Sequence, residues 1–506
     1  MRVRFFCIHQ RISADANHLI TAGICLVFCM ILFLQKSFHM RKLIILLFFQ
    51  AFIVGSVANN VQLGTPVLNA SNELVFTISW DNSWYTASAP HNWDGVYLFV
   101  KYRNCASTNA WSHAQLNTSA SAHSVQAPLL IDPYKLSDGK GLIVRRSSPG
   151  SGSISNDTVK LKLVSPALGS SYDFQVFAIE MVMIPQGAFY LGDGFSTYTI
   201  TNGNSSSPYY VSSDAAISKS ITSGNIYCTT STSSIYSNIP LAFPVGYDSM
   251  YVMKYEISQG QYAAFLNTLS SDQAANRAYI VNANRINLAG TWPNYSTTFP
   301  HRAMGYLSWQ DLSAYLDWAA LRPMTETEFE KICRGPNYPV AGEYAWGSNT
   351  INDCNTISSD GTATEKNTAL PAAGFGIANY NSDFIAGPMR CGFAAGLATD
   401  RLQAGSSYYG VMEMSGNIGE LCIGLYDNTG LAFTPTNGDG NLTGSPTPGF
   451  ANTSSWPNLN SGTTGIALRG GGYSETYGYL RVSDRYIYHD TSSSGRNANR
   501  GGRGIR

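Results

Sequence analysis

The chain has 506 residues, enough for two or three domains, and 44% of them are apolar, so it can bury a sizeable core. Its 32 Lys and Arg residues balance 32 Asp and Glu residues, and charged residues make up only 13% of the chain, against about 25% in typical soluble domains. This balance does not favour a nucleic-acid or anionic-membrane partner. The chain contains neither a Walker phosphate loop nor a dinucleotide fingerprint.

Two apolar runs, residues 19–34 and 43–58, lie at the N-terminus. The second follows the basic start Met40-Arg41-Lys42 and ends in Ser56-Val57-Ala58, a small-x-small cleavage site typical of a secretory signal. We therefore predict that residues 1–58 are an N-terminal extension plus a signal peptide starting at Met40, and that the protein is secreted or on the cell surface. The alternative is an uncleaved membrane anchor, the one case in which we expect a membrane partner.

Residues 59–175 show the pattern of a small all-β domain. Glu73–Trp80 and Gly95–Tyr102 are rich in β-branched and aromatic residues, and Thr158–Val164 alternates between polar and apolar residues up to Leu163. The Gly- and Ser-rich stretch Ser147–Asp157 predicts a loop. A β-sandwich-like domain is expected here.

The pattern changes near residue 172, where two further strands are expected, and three helices follow. Ser258 with Gln261 and Thr325 with Glu328 form capping boxes, and Ser308 with Asp311 begins the helix between them. Each cap satisfies an amide of the first helical turn and is worth about 1 kcal/mol. After Gly335 the chain reads as loops and short strands.

Five blocks, in this order along the chain, resemble the formylglycine-generating enzyme (sulfatase-modifying factor) family. The blocks are Glu180–Gly194 (EMVMIPQGAFYLGDG), Met253–Leu266 (MKYEISQGQYAAFL), Tyr306–Gly335 with the following Tyr344-Ala345-Trp346-Gly347, Gly410–Leu421 (GVMEMSGNIGEL), and Leu468–Gly472 (LRGGG) with Arg481, Ser483, Arg485 and a closing Gly502-Arg503. The resemblance covers about residues 176–506. It implies an α+β fold with little regular structure, related to C-type lectin domains.

The family's oxidases bind copper through two cysteines near the C-terminus and convert a sulfatase cysteine to formylglycine. Those cysteines would fall near Glu475 and Leu480, and no cysteine follows Cys422. Because soft thiolates are the ligands that suit Cu(I), we predict that copper is not bound. A site rebuilt from Cys391 and Cys422 is the alternative. The sequence leaves the pairing of the cysteines open.

The resemblance also implies a calcium site. Carried over residue by residue, its ligands would be the side chains of Glu413 and Glu420 and the carbonyls of Gly416 and Ile418. Oxygen ligands from a tight turn suit Ca²⁺. The alternative is that Glu420 is a buried charge paired with Arg469 or another basic residue.

From Gly471 onward the chain has five Tyr, six Arg and no Lys, among many Ser, Gly and Asn. Tyr and Arg carry binding energy at interfaces, and Ser, Gly and Asn add adaptable hydrogen bonds. The segment resembles the variable region of target proteins of diversity-generating retroelements, which implies a hypervariable surface. The predicted ligand-binding residues are Tyr473, Ser474, Glu475, Tyr477, Tyr479, Tyr486, Tyr488, His489, Asp490 and Asn497. The alternative is an ordinary closing segment in which Arg481 and Arg485 form internal ion pairs.

These observations favour an exported, non-catalytic protein that binds an unknown protein or surface ligand through its C-terminal surface. Two alternatives remain: a formylglycine-generating oxidase acting on sulfatase cysteines, and a structural or adhesion module that binds through residues 59–175.

Overall fold

A computed structural model describes residues 60–105, 111–167, 171–228, 234–457, 465–486 and 495–506. The predicted signal peptide and its start at Met40 lie outside these residues. No helix within them is long and apolar enough to span a membrane.

Helices and strands are mixed along the described residues. The strands up to residue 184 are β1 Gln62–Leu63, β2 Val67–Leu68, β3 Glu73–Tyr85, β4 Asp94–Asn104, β5 Ser112–His113, β6 Gln115–Leu116, β7 Ser124–Val125, β8 Leu129–Asp132, β9 Leu142–Arg146, β10 Gly150–Ser165 and β11 Tyr172–Ile184. The later strands are β12 Phe189–Leu191, β13 Thr201–Asn202, β14 Tyr209–Val211, β15 Ile226–Tyr227, β16 Met250–Met253, β17 Val281–Ala283, β18 Ile286–Leu288, β19 Ile351–Asp353, β20 Ile357–Ser358, β21 Lys366–Asn367, β22 Gly376–Ala378, β23 Gly419–Ile423, β24 Ile466–Arg469 and β25 Arg500–Gly501. The α-helices are α1 Gln259–Leu266, α2 Ser271–Arg277, α3 Trp309–Trp318, α4 Glu326–Arg334 and α5 Asn428–Leu431.

Two large sheets lie in the N-terminal half of the described chain. The first has the order β1-β3-β10-β6 and the second the order β16-β11-β4-β9-β8. Strand β4 is buried on both faces: Val96, Leu98 and Val100 pack with the first sheet, while Tyr97 and Phe99 belong to the core that contains α1 and α3. The second sheet is therefore the middle of three layers.

The predicted loop Ser147–Asp157 is wrong over most of its length, because β10 begins at Gly150 and pairs antiparallel with β3. The register shifts between Gly152 and Ile154 and again between Ile154 and Asp157. Such bulges let a Gly- and Ser-rich stretch stay in a ladder whose hydrogen bonds come from the backbone.

The predicted boundary after residue 175 falls within β11, which pairs with β4 on one side and with β16 on the other. The region 59–175 therefore supplies strands to the sheet on which the helices pack. Its standing as a separate all-β domain stays a prediction, as does the likeness to C-type lectin domains.

The three predicted helices are present, and Ser258, Ser308 and Thr325 each cap their helix in a complete capping box. A fourth box, Ser270 with Gln273, begins α2 and was not predicted. The S-x-x-Q motif is present in the sequence, but the residues that follow it do not form an apolar helix face. The mixed α and β content agrees with the predicted fold class.

Candidate functional site

The C-terminal segment is anchored on α4 by a network of buried ion pairs, formed by Glu326, Glu330, Arg469 and Arg485. Arg485 donates from Nε and Nη2 to the two oxygens of Glu326, at 2.7 and 2.9 Å. Arg469 donates from Nη2 to Glu330 Oε1 and to the carbonyl of Val482, both at 2.7 Å. Since all four side chains are fully buried, this network fixes where the segment 469–485 runs.

The two arginines of this network keep the Glu326 carboxyl ionised. Burial by itself would raise the pKa of the Glu326 carboxyl, but the guanidinium groups of Arg485 and Arg469 outweigh burial and lower it below 4.5. The second oxygen of Glu330 accepts hydrogen bonds from Gly192 N and Ser483 Oγ, both at 2.8 Å. The network therefore ties the C-terminal segment to the loop that follows β12.

An aromatic surface lies above this network. We call it the tyrosine surface and define it as Phe195, Tyr198, Tyr477, Tyr479, Arg481 and Tyr486. The ring of Tyr486 stacks on Tyr198 and on Tyr479, with centroids 5.7 and 5.3 Å apart. The guanidinium carbon of Arg481 lies 5.0 Å from the ring centroid of Phe195 and 5.7 Å from that of Tyr477.

The rings of this surface reach solvent, although the backbone beneath them is fixed. Phe195 is 61% exposed, Tyr477 56% and Tyr486 44%. The Arg481 guanidinium lies between the rings of Phe195 and Tyr477 and also interacts with the hydroxyl of Tyr344. Exposed aromatic rings around a cation are the groups that supply most binding energy at protein surfaces.

The predicted ligand-binding residues fall into three groups. Tyr477, Tyr479 and Tyr486 come together on the tyrosine surface. Ser474 and Asn497 are exposed, while Tyr473 is buried against Ile418, so its ring does not reach that surface. Glu475 accepts from Gly472 N at 2.8 Å and from Asn499 Nδ2. Tyr488, His489 and Asp490 lie outside the described residues.

Phe195 and Tyr198 were not predicted as site residues. They come from the loop after β12, which is joined to the C-terminal segment by a hydrogen bond from Arg485 N to Thr197 O at 3.0 Å. Two aromatic residues in a Gly- and Ser-rich loop could have indicated a binding site. The sequence, however, does not show which surface that loop contacts.

The two positions that the resemblance assigns to copper ligands hold Glu475 and Leu480, neither of which has a thiol. Leu480 is fully buried, and burial raises the pKa of the Glu475 carboxyl. Cys391 and Cys422 pack in different hydrophobic clusters, and burial raises the pKa of each thiol well above 9.

The predicted calcium ligands are only partly available to a cation. Glu420 accepts from Arg503 Nε with both oxygens at 2.9 Å, so Arg503 is the basic partner that the alternative required. Glu413 accepts from Gly392 N at 3.0 Å with one oxygen, while its other oxygen is buried without a hydrogen-bond partner. Glu413 therefore has one oxygen without a hydrogen bond, whereas both oxygens of Glu420 already accept from Arg503.

Burial raises the pKa of the Glu413 carboxyl to about 7. In the described part of the chain, no group of three or more His, Cys, Asp or Glu side chains is arranged to hold a metal ion. Because calcium requires six to eight oxygen ligands, binding through Glu413, Gly416, Ile418 and Glu420 stays a prediction.

Comparison with known proteins identifies one domain. The family model of the sulfatase-modifying factor enzyme 1-like domain matches residues 174–506. This range begins two residues before the region in which the five sequence blocks were found. No curated protein matches the chain.

Proposed function

Because the chain belongs to the sulfatase-modifying factor family, we propose that it uses the family's scaffold to bind a ligand through the tyrosine surface, without the family's oxidative chemistry. The protein is proposed to be exported and to present this surface to an unknown protein or surface ligand.

The observation that carries the proposal is the division of roles within the segment 477–486. Val482, Ser483 and Arg485 are fully buried and bonded to the scaffold, whereas Tyr477 and Tyr486 expose about half of their side chains. Substitutions at the exposed positions would change the ligand without disturbing the ion-pair network. Such an arrangement supports both a binding surface and its diversification.

The oxidase alternative is weaker because Glu475 and Leu480 provide no thiol where the resemblance expects copper ligands. Incubation of the full chain with Cu(I), oxygen and a cysteine peptide from a sulfatase tests it directly. Formation of formylglycine in that peptide would overturn the proposal.

Binding is tested by exposing the purified chain to arrays of immobilised proteins and glycans. We expect the Tyr477→Ala/Tyr486→Ala variant to lose at least tenfold in affinity for any ligand found, with an unchanged melting temperature. Tyr236→Ala is the matched control, because Tyr236 is 55% exposed but lies outside the tyrosine surface. Unchanged binding by the double variant, or full binding by residues 59–175 alone, would contradict the proposal.

Diversification is tested separately by sequencing the 3′ end of the gene in sibling cells. Variation confined to the codons of residues on the tyrosine surface, such as Tyr477, Tyr479 and Tyr486, is expected. An invariant 3′ end would exclude diversification and leave ligand binding to the array experiment.

A further inference from the structure

Three tyrosine rings contact one another around β12. We call them the β12 aromatic cluster and define it as Tyr190 of β12, Tyr210 of β14 and Tyr338 of the loop after α4. The centroid of the Tyr190 ring lies 4.8 Å from that of Tyr210 and 5.0 Å from that of Tyr338. The cluster shares no residue with the tyrosine surface.

Two of the three side chains are largely exposed. Tyr338 is 63% exposed and Tyr210 51%, and the nearby Val340 is 42% exposed. Tyr190 and Tyr210 stand opposite each other in the antiparallel pair β12 and β14, so their contact also stabilises these strands. Tyr338 belongs to neither strand, and most of it stays in water although its ring packs on Tyr190. Exposed apolar groups that cluster in this way indicate an interaction site.

The backbone beneath the cluster is fixed by a buried arginine. Arg334 donates from Nη1 to the carbonyl of Tyr190 at 2.6 Å, and its Nε atom pairs with Glu343. The second oxygen of Glu343 accepts from Val340 N at 3.2 Å. The same guanidinium therefore ties together β12 and the loop that carries Tyr338. A site that is already in place before its ligand arrives loses less conformational entropy on binding.

The cluster is built from uncharged parts of the chain. Its rings lie on three segments that contain no Asp, Glu, Lys, Arg or His: residues 186–192, 203–213 and 336–342. Four charged residues border these segments. Asp193, Arg334 and Glu343 are buried, and Asp214 is hydrogen-bonded to Asp248. The segments of the cluster therefore offer no charge that would select an ionic ligand.

The combination of rings and hydroxyls suits a neutral sugar. The hydroxyls of the three tyrosines have no hydrogen-bond partner among the described residues, and each can both donate and accept. A pyranose has a face of C–H groups, which the negative face of an aromatic ring attracts, and a rim of hydroxyls that can bond to phenol groups. An aliphatic side chain of a partner protein would contact the rings but leave the phenol groups without partners.

We propose that the β12 aromatic cluster binds a neutral oligosaccharide, whose sugar rings stack on Tyr210 and Tyr338 and whose hydroxyls bond to the phenol groups. Uronic acids and sulfated sugars carry a charge for which these segments hold no partner. The proposal does not depend on the proposed function of the tyrosine surface.

The probes are three neutral hexasaccharides, cellohexaose, laminarihexaose and mannohexaose, and one charged hexasaccharide, the hexamer of galacturonic acid. Binding to the full chain is measured by isothermal titration calorimetry. We expect at least one neutral hexasaccharide to bind, and the charged hexamer to bind at least tenfold more weakly. Absence of binding by all three neutral sugars would overturn the proposal, as would equal or tighter binding of the charged hexamer.

The position of the sugar is tested by substitution at the exposed ring. We expect Tyr338→Ala to weaken binding of the neutral hexasaccharide at least tenfold, with an unchanged melting temperature. Tyr338→Phe keeps the ring and removes only the hydroxyl, so its affinity should lie between those of the wild type and Tyr338→Ala. Full binding by Tyr338→Ala would overturn the proposal.

Two controls separate this cluster from the rest of the surface. Tyr236→Ala removes a side chain that is 55% exposed outside the cluster, and Tyr477→Ala/Tyr486→Ala alters the tyrosine surface. Both should bind the hexasaccharide within twofold of the wild type. Loss of binding in the double variant would place the sugar on the tyrosine surface and overturn the assignment to the cluster.

A second copy of this chain is the other occupant that exposed rings could take. Sedimentation velocity distinguishes it from a sugar, because the wild type and Tyr338→Ala should then sediment alike. An assembly of the wild type that Tyr338→Ala dissociates would show that another copy covers the cluster and would overturn the proposal.

Discussion

Replacing Arg485 by methionine removes the cation that lies against Glu326 inside the protein. Glu326 accepts three hydrogen bonds: two from Arg485, at 2.7 and 2.9 Å, and one from Leu425 N at 2.8 Å. The other nearby cation, Arg469, has its Nη1 atom 3.6 Å away. The substitution therefore leaves a fully buried carboxylate with one hydrogen bond and a more distant charge.

The expected cost follows from these contacts. A hydrogen bond to a charged group contributes about 1.5–3 kcal/mol, so two of them amount to about 3–6 kcal/mol. Breaking a buried ion pair from one side costs about 3–5 kcal/mol. We therefore expect Arg485→Met to lower the free energy of unfolding by about 4 kcal/mol, a large part of the roughly 5–15 kcal/mol that holds a typical protein folded.

The free energy of unfolding is measured by urea denaturation of the wild type, Arg485→Met and Arg485→Met/Glu326→Gln. The double variant should recover about 2 kcal/mol, because glutamine removes the unpaired charge but still accepts from Leu425 N. Arg103→Met is the control: Arg103 is 36% exposed in its pair with Asp173, so its loss should cost less than about 1 kcal/mol. The reasoning is refuted if Arg485→Met costs no more than Arg103→Met, or if the double variant recovers nothing.

Two further outcomes are expected. Burial raises the pKa of Asp317 from 3.8 to about 7, despite amide hydrogen bonds from Asp439 and Asn452 and the nearby Lys101 cation. Because the folded chain keeps this proton to a higher pH than the unfolded chain does, Asp317 stabilises the fold most below pH 4, and up to about 4 kcal/mol of this stability is lost as the pH rises through 7. Urea denaturation at pH 4.5 and 7.5 should show this fall in the wild type and not in Asp317→Asn. An equal fall in both proteins would contradict the prediction. If calcium binds as the resemblance implies, CaCl₂ at 100 times Kd should raise the free energy of unfolding by about 2.7 kcal/mol, and the melting temperature should rise with it. Glu413→Gln should abolish the rise. A melting temperature that changes with neither calcium nor a chelator would count against the site.

The sequence was sufficient to predict helix starts, because these depend on contacts between residues close together in the chain. The boxes at Ser258 and Thr325 place both partners of the cap within one helical turn, so three residues decide where a helix begins. The same pattern at Ser270 begins α2, although this helix buries only Ala274 and Arg277 and shows no apolar face. Cap chemistry is thus a better guide to a helix start than the apolar periodicity of the helix that follows.

Long-range contacts could not be predicted from the same evidence. Gly150–Asp157 reads as a loop by composition, yet β3 provides a ladder on which it pairs. Tyr473 and Tyr477 look alike in the sequence, but Tyr473 is buried against Ile418 while Tyr477 is exposed. Which tyrosines face solvent depends on the ion pairs with α4, a helix about 140 residues earlier in the chain.

The ion-pair network also explains how the C-terminal segment can keep its path whichever residues stand between its two buried arginines. Arg469 and Arg485 hold the C-terminal segment at both ends through ion pairs with Glu330 and Glu326 of α4. Glu475 and Leu480 take no part in these ion pairs. Leu480 packs in a hydrophobic cluster with Tyr344 and Trp346, so its position contributes to the core without a thiol. Residues between the two arginines are then free to change wherever their side chains reach solvent. The stability of the segment and the chemistry of its exposed face are therefore set by different residues, which is the condition for using one scaffold with many ligands.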